Sequence, residues 1–141
     1  MTKERFLVPS SGPDVTAVSI GIEALNVLCE KYQSNGLVVV PALKHASSTI
    51  LSNVWPEKQV KALSSGKRLK LPCGYSVAMC SPFTLRNHTS SKVILALFAS
   101  KEMIEKAENA WGCSALVIVP WIPEDAETWV RAHTPKELSI S

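Results

Sequence analysis

Residues 93–120 read VILALFASKEMIEKAENAWGCSALVIVP, and this stretch decides the fold. It opens on an unbroken apolar run, Val93-Ile94-Leu95-Ala96-Leu97-Phe98-Ala99. Continuous rather than alternating apolar composition indicates a strand covered on both faces, as in a parallel sheet. Ser100 is a good N-cap, and Met103, Ile104 and Ala107 recur at helical spacing in a segment running to Trp111, with Gly112 as its stop. A second apolar run, Leu116-Val117-Ile118-Val119, closes on Pro120. Strand, helix, strand in this order is the unit from which parallel sheets are built.

The same phrase recurs outward from this unit. Phe6-Leu7-Val8 ends at Pro9, Leu37-Val38-Val39-Val40 at Pro41, and Val77-Ala78-Met79-Cys80-Ser81 at Pro82. Proline breaks a strand, so each run is closed where it should be. The runs 5–8, 37–40, 93–98 and 115–119 are expected as central, mutually parallel strands. Pro13 and Asp14 begin a helix whose inner face is Val15, Val18, Ile22, Leu25, Cys29 and Tyr32, and Asn35-Gly36 is its expected left-handed stop. Pro123, Glu124 and Asp125 open a last helix carrying Ala126, Trp129 and Val130, which Thr134-Pro135 stops. Residues 135–141 are expected to fray.

The middle is less regular. Ala42 to Asn53 has a weak helical pattern, and Pro56 starts a short helix through Val60 and Leu63 that ends at Gly66. Lys67 to Leu71, the turn Pro72-Cys73-Gly74 and the run Tyr75 to Cys80 read as a hairpin with a basic outer face. The expectation is one α/β domain, 1–141: a three-layer Rossmann-like sandwich of about five mostly parallel strands with a β-hairpin insertion near 67–80. Strand order 2-1-3-4-5 follows by analogy with doubly wound sheets, and an α+β domain with antiparallel middle strands is the alternative. That order sets Leu37–Val40 at a sheet edge, where a covering helix or a homodimer is expected to protect it.

Of 141 residues, 46% are hydrophobic and 19% charged, which excludes a disordered chain. No apolar run approaches the roughly 18 residues of a membrane span. Met1 to Arg5 and the three apolar residues after it do not make a secretory leader, so a cytoplasmic protein without a membrane partner is expected. Cys29, Cys73, Cys80 and Cys113 lack zinc or redox spacing and read as reduced thiols. His45, His88 and His133 are too scattered for a ligand motif, so no metal is expected.

Charge is uneven. Residues 37–92 carry Lys44, Lys58, Lys61, Lys67, Arg68, Lys70, Arg86 and Lys92 against Glu57 alone, while acidic residues prevail from 93 onward. An anionic partner fits that asymmetry.

Ligands of open α/β sheets sit beyond the strand carboxyl ends, where strand order reverses. For order 2-1-3-4-5, the loops meeting there hold Ser10, Ser11 and Gly12 at a helix start, and Arg86, Asn87 and His88. A helix start offers backbone N–H donors, and a guanidinium offers a bidentate fork, so a phosphorylated small molecule or nucleotide is the expected ligand. Neither G-x-G-x-x-G nor a Walker loop is present, and nothing names a cofactor. Two other readings use different residues. Lys58, Lys61, Lys67, Arg68 and Lys70 would serve a nucleic-acid-binding or assembly module. Ser10 or Ser11 with His45 or His88 as base, or Cys80 with His88, would serve a hydrolase, although no G-x-S-x-G elbow exists. Trp111 and Trp129 read as core. Trp55 and Trp121 flank strand or helix ends and read as core or as stacking residues at a rim.

Overall fold

The computed structural model describes residues 3–9, 15–41, 56–82, 92–110 and 113–138. In chain order its elements are β1 (Glu4–Leu7), α1 (Val15–Tyr32), β2 (Gly36–Val39), α2 (Glu57–Ser64), β3 (Leu69–Lys70), β4 (Ser76–Cys80), β5 (Val93–Ala99), α3 (Lys101–Glu108), β6 (Ala115–Pro120), α4 (Pro123–His133) and β7 (Lys136–Glu137). The strands form one mostly parallel sheet in the order β3-β4-β2-β5-β6-β1-β7. Only β3 runs antiparallel, paired with β4 as Leu69↔Val77 and Lys70↔Ser76. This is the α/β sandwich expected from the sequence, with the hairpin where the turn at Gly74 (φ 99°) places it.

Both faces are covered. Val38, Leu95, Leu97, Val117 and Val119 point to one side, where α1 and α2 bring Val18, Leu25, Val60 and Leu63. Leu37, Val39, Ile94, Ala96, Leu116 and Ile118 point to the other, against Met103, Ile104 and Ala107 of α3 and Ala126 and Trp129 of α4. Right-handed crossovers explain the division. The connections β1 to β2 and β2 to β4 step one way along the sheet, and β5 to β6 and β6 to β7 step the other. Their helices therefore fall on opposite faces. The first crossover spans two intervening strands, and α1 lies over β5 and β6. Gly21 permits the close approach: a Cβ there would lie 2.9 Å from Leu95 Cδ1 and 3.2 Å from Val119 Cγ2.

The order 2-1-3-4-5 is overturned. β1 lies between β6 and β7 near one end of the sheet. β2 is interior, parallel to β4 on one side and β5 on the other. The unbroken burial of Leu37 to Val40 follows from that central position, and the edge argument for a homodimer loses its basis.

Local endings also differ from expectation. α1 stops at Gln33 (φ 51°), with Ser34 N–H bonded to the Cys29 carbonyl and Gln33 N–H to that of Glu30, a Schellman closure. Gly36 is needed instead for contact, because a Cβ there would meet Cys29 Sγ and Leu25 Cδ1 at 2.8 Å. α3 is capped by Ser100 as expected, its hydroxyl accepting from Met103 N–H, but it ends at Glu108. The 135–141 segment does not simply fray: Lys136 and Glu137 pair with Phe6 and Leu7, and Leu138 N–H donates to the Leu7 carbonyl. The weak helical pattern at 42–53 lies outside the described residues.

Candidate functional site

At the carboxyl edge of a doubly wound sheet, a crevice opens between neighbouring strands whose connections leave in opposite directions over opposite faces. Here those strands are β2 and β5. The expected pair of loops leaves from β1 and β4, which are separated by β2, β5 and β6. At about 4.8 Å per step the two strand ends lie about 19 Å apart. Ser10, Ser11, Gly12, Arg86, Asn87 and His88 themselves lie outside the described residues, as do His45, Trp55 and Trp111.

The end of β5, one wall of this crevice, is irregular. Leu97 pairs with Val119 and Ala99 with Pro120, leaving Phe98 as an extra residue in a bulge. Phe98 adopts φ 55°, a left-handed conformation that disfavours a bulky side chain. Such backbone costs on the order of 1–3 kcal/mol and persists only where its surroundings impose it. The bulge puts Phe98 on the same face as Leu97, and Ala99 on the other. Trp121, just past β6, meets the Phe98 ring edge-on at 6.0 Å between centroids and donates its backbone N–H to the Ala99 carbonyl. Trp121 is 44% exposed and Ile122 39%, unusual for large apolar side chains in this molecule. Trp121 thus takes the rim role and Trp129 the core role.

A second group of side chains gathers at the amino edge. Glu108 closes α3 and receives Arg5 Nε at 2.7 Å and Arg5 Nη2 at 2.9 Å, a bidentate pair. Trp129 Nε1 donates to it at 2.9 Å and Lys3 Nζ at 3.2 Å. Burial alone would push this carboxyl up, but the bonds from Arg5, Trp129 and Lys3 outweigh it and bring the pKa to about 2. All the polar capacity of Glu108 is spent on tying β1 to α3 and α4. A shallow groove of about 190 Å³ continues from it between the two helices, with Ile104 and Trp129 buried along it.

The cysteines are poor nucleophile candidates. Burial pushes the Cys29 thiol to about 12 and Cys113 to about 11, so neither is a thiolate at neutral pH. Cys80 is 1% exposed inside the α3–α4 face of the core. None of the four cysteines forms a disulfide. No three His, Cys, Asp or Glu side chains gather as metal ligands among the described residues, and none of the described helices is long and apolar enough to cross a membrane.

No family model, curated protein or solved structure matches this chain. Function is therefore argued from the site alone.

The third grouping is electrostatic. Lys58, Lys61, Lys67, Arg68 and Lys70 are all exposed, on α2, the turn after it and β3, at one edge of the sheet. Val60 and Leu63 turn inward from α2, which leaves Lys58 and Lys61 on its outer side. Leu69 and Leu71 turn toward the same core, so Arg68 and Lys70 project to the other side of the edge strand. The cations wrap the edge rather than converge on one point.

Proposed function

We propose that this domain binds a small phosphorylated or nucleotide-type molecule at the carboxyl edge of the sheet, beside the β2–β5 crevice. The observation that carries the reading is the strained bulge at Phe98, which props the half-exposed Trp121 ring at the strand ends. Packing alone is better served by a regular strand. A bulge next to a ligand site re-aims a side chain, and an exposed indole is a stacking surface for a base. Ser10 to Gly12 and Arg86 to His88, the anion contacts expected from the sequence, lie outside the described residues, and β1 and β4, the strands that precede them in the chain, end four sheet positions apart.

The test is a panel of nucleotides and sugar phosphates at fixed ionic strength, read by melting temperature and tryptophan emission. A ligand at a hundred times its Kd adds about 2.7 kcal/mol, a shift of several degrees in a domain of this size. Trp121→Ala should weaken binding about tenfold, in line with the loss of one base stack. A panel without any stabilising compound, or equal affinity in the Trp121 variant, refutes the reading.

A further inference from the structure

We propose that the α2–β3 edge is a binding surface for the sugar-phosphate backbone of duplex nucleic acid. The surface carries Lys58, Lys61, Lys67, Arg68 and Lys70, all exposed, and Glu57 at the start of α2 is the single acidic residue of the sequence between 37 and 92. Edge strands commonly carry a charge or two to prevent pairing with another sheet, and Arg68 and Lys70 suffice for that. Lys58, Lys61 and Lys67 lie on the helix and the turn, where they do nothing for the edge.

The arrangement fits a backbone rather than a single phosphate. The cations are spread along a helix, a turn and a strand, so they match a row of charges and not one oxyanion. Among the described residues no aromatic side chain is exposed beside them: Tyr75, in the hairpin, packs against the core. With no stacking platform for unpaired bases among the described residues, the surface favours a duplex over a single strand. The acidic residues of α3 and α4, Glu102, Glu105, Glu124, Asp125 and Glu127, share a face with Arg68 and Lys70 but belong to helices that lie over β5 and β6, away from the β3 edge, and repel phosphate there. The field of the molecule thus presents the basic edge first to a polyanion.

Fluorescence anisotropy of a labelled 20-base-pair duplex of arbitrary sequence, titrated with the full chain between 50 and 200 mM salt, tests this directly. Five phosphate contacts predict a log–log salt slope of about −4.5, an approximately five-hundredfold loss of affinity over that range. The triple variant Lys67→Ala, Arg68→Ala, Lys70→Ala should lower the slope to about −2 and the loss to about tenfold, with each removed contact taking about one from the slope. Lys136→Ala, on the β7 edge, should match the wild type. Circular dichroism melts of both variants confirm that they fold, since all four positions lie on the surface. Absence of duplex binding at 50 mM salt overturns the proposal, as does an unchanged slope in the triple variant. Tighter binding of the single strand than of the duplex overturns it too. Capture by phosphatidylserine vesicles in the absence of duplex binding makes the edge a membrane surface and rejects it equally.

Discussion

Replacing Glu108 with glutamine removes one charge from a carboxylate that accepts from Arg5, Lys3 and Trp129 and leaves its shape intact. The carboxyl has an ordinary value of 4.5 and titrates at about 2 in the fold. Because the native state holds this proton less tightly than the unfolded chain, the stabilisation is complete above about pH 5. It disappears as pH falls through about 2. Each tenfold in proton affinity is worth about 1.4 kcal/mol, so the ionised carboxylate contributes about 3 kcal/mol at pH 7 and about 1 kcal/mol at pH 3. The side chain is only 14% exposed, so water screens little of this. Glutamine imitates the protonated carboxyl. Urea denaturation of wild type and Glu108→Gln should then show a gap of about 3 kcal/mol at pH 7 that closes to about 1 at pH 3. With Arg5 already replaced by alanine, the pH 7 gap should shrink, since the bidentate partner is gone. A gap that is the same at both pH values would refute the electrostatic account and leave Glu108 as a shape-filling residue.

Two further outcomes follow from backbone and packing. Thr134 sits at φ 43° as the left-handed cap of α4, exposed, with its N–H bonded to the Val130 carbonyl; Thr134→Gly should raise Tm by about 3 °C in a calorimetric scan, because the left-handed conformation costs a β-branched residue about 1–2 kcal/mol. Gly21→Ala gains about 1 kcal/mol of helix propensity but drives a methyl into Leu95 and Val119, so chemical denaturation should show a net loss of about 1 kcal/mol, and a gain would mean that α1 is less tightly seated than described.

The elements were legible because their signals are local: apolar runs closed by proline, Ser100 as a cap, the Pro72–Gly74 turn. Strand order was not, because it depends on which runs meet across more than a hundred residues. One clue lay in plain sight. β1 contains Glu4 and Arg5, a composition suited to the periphery, whereas Leu37 to Val40 has the composition of an interior strand; the order 2-1-3-4-5 assigned them the reverse. The Glu108 cluster had no sequence signature, since Arg5 and Glu108 are 103 positions apart. The basic edge was legible as composition, and the fold supplied what composition lacks, the exposure of all five cations at one place. The Phe98 bulge was invisible, since nothing in VILALFA marks one residue as left-handed.

The position of β1 bears on how the chain is made. Its only strand neighbours are β6 and β7, with Leu7 opposite Ile118 and Glu137. β1 leaves the ribosome more than a hundred residues ahead of β6 and β7 and waits about 5–20 s for them at ordinary translation rates. Meanwhile β2, β4 and β5 emerge with their partners close behind, so the centre of the sheet can assemble before its first strand docks. Nascent chains stalled short of residue 115 would therefore carry β1 unattached, open to proteases and chaperones. Emergence of β6 and β7 is the event that locks β1 into place.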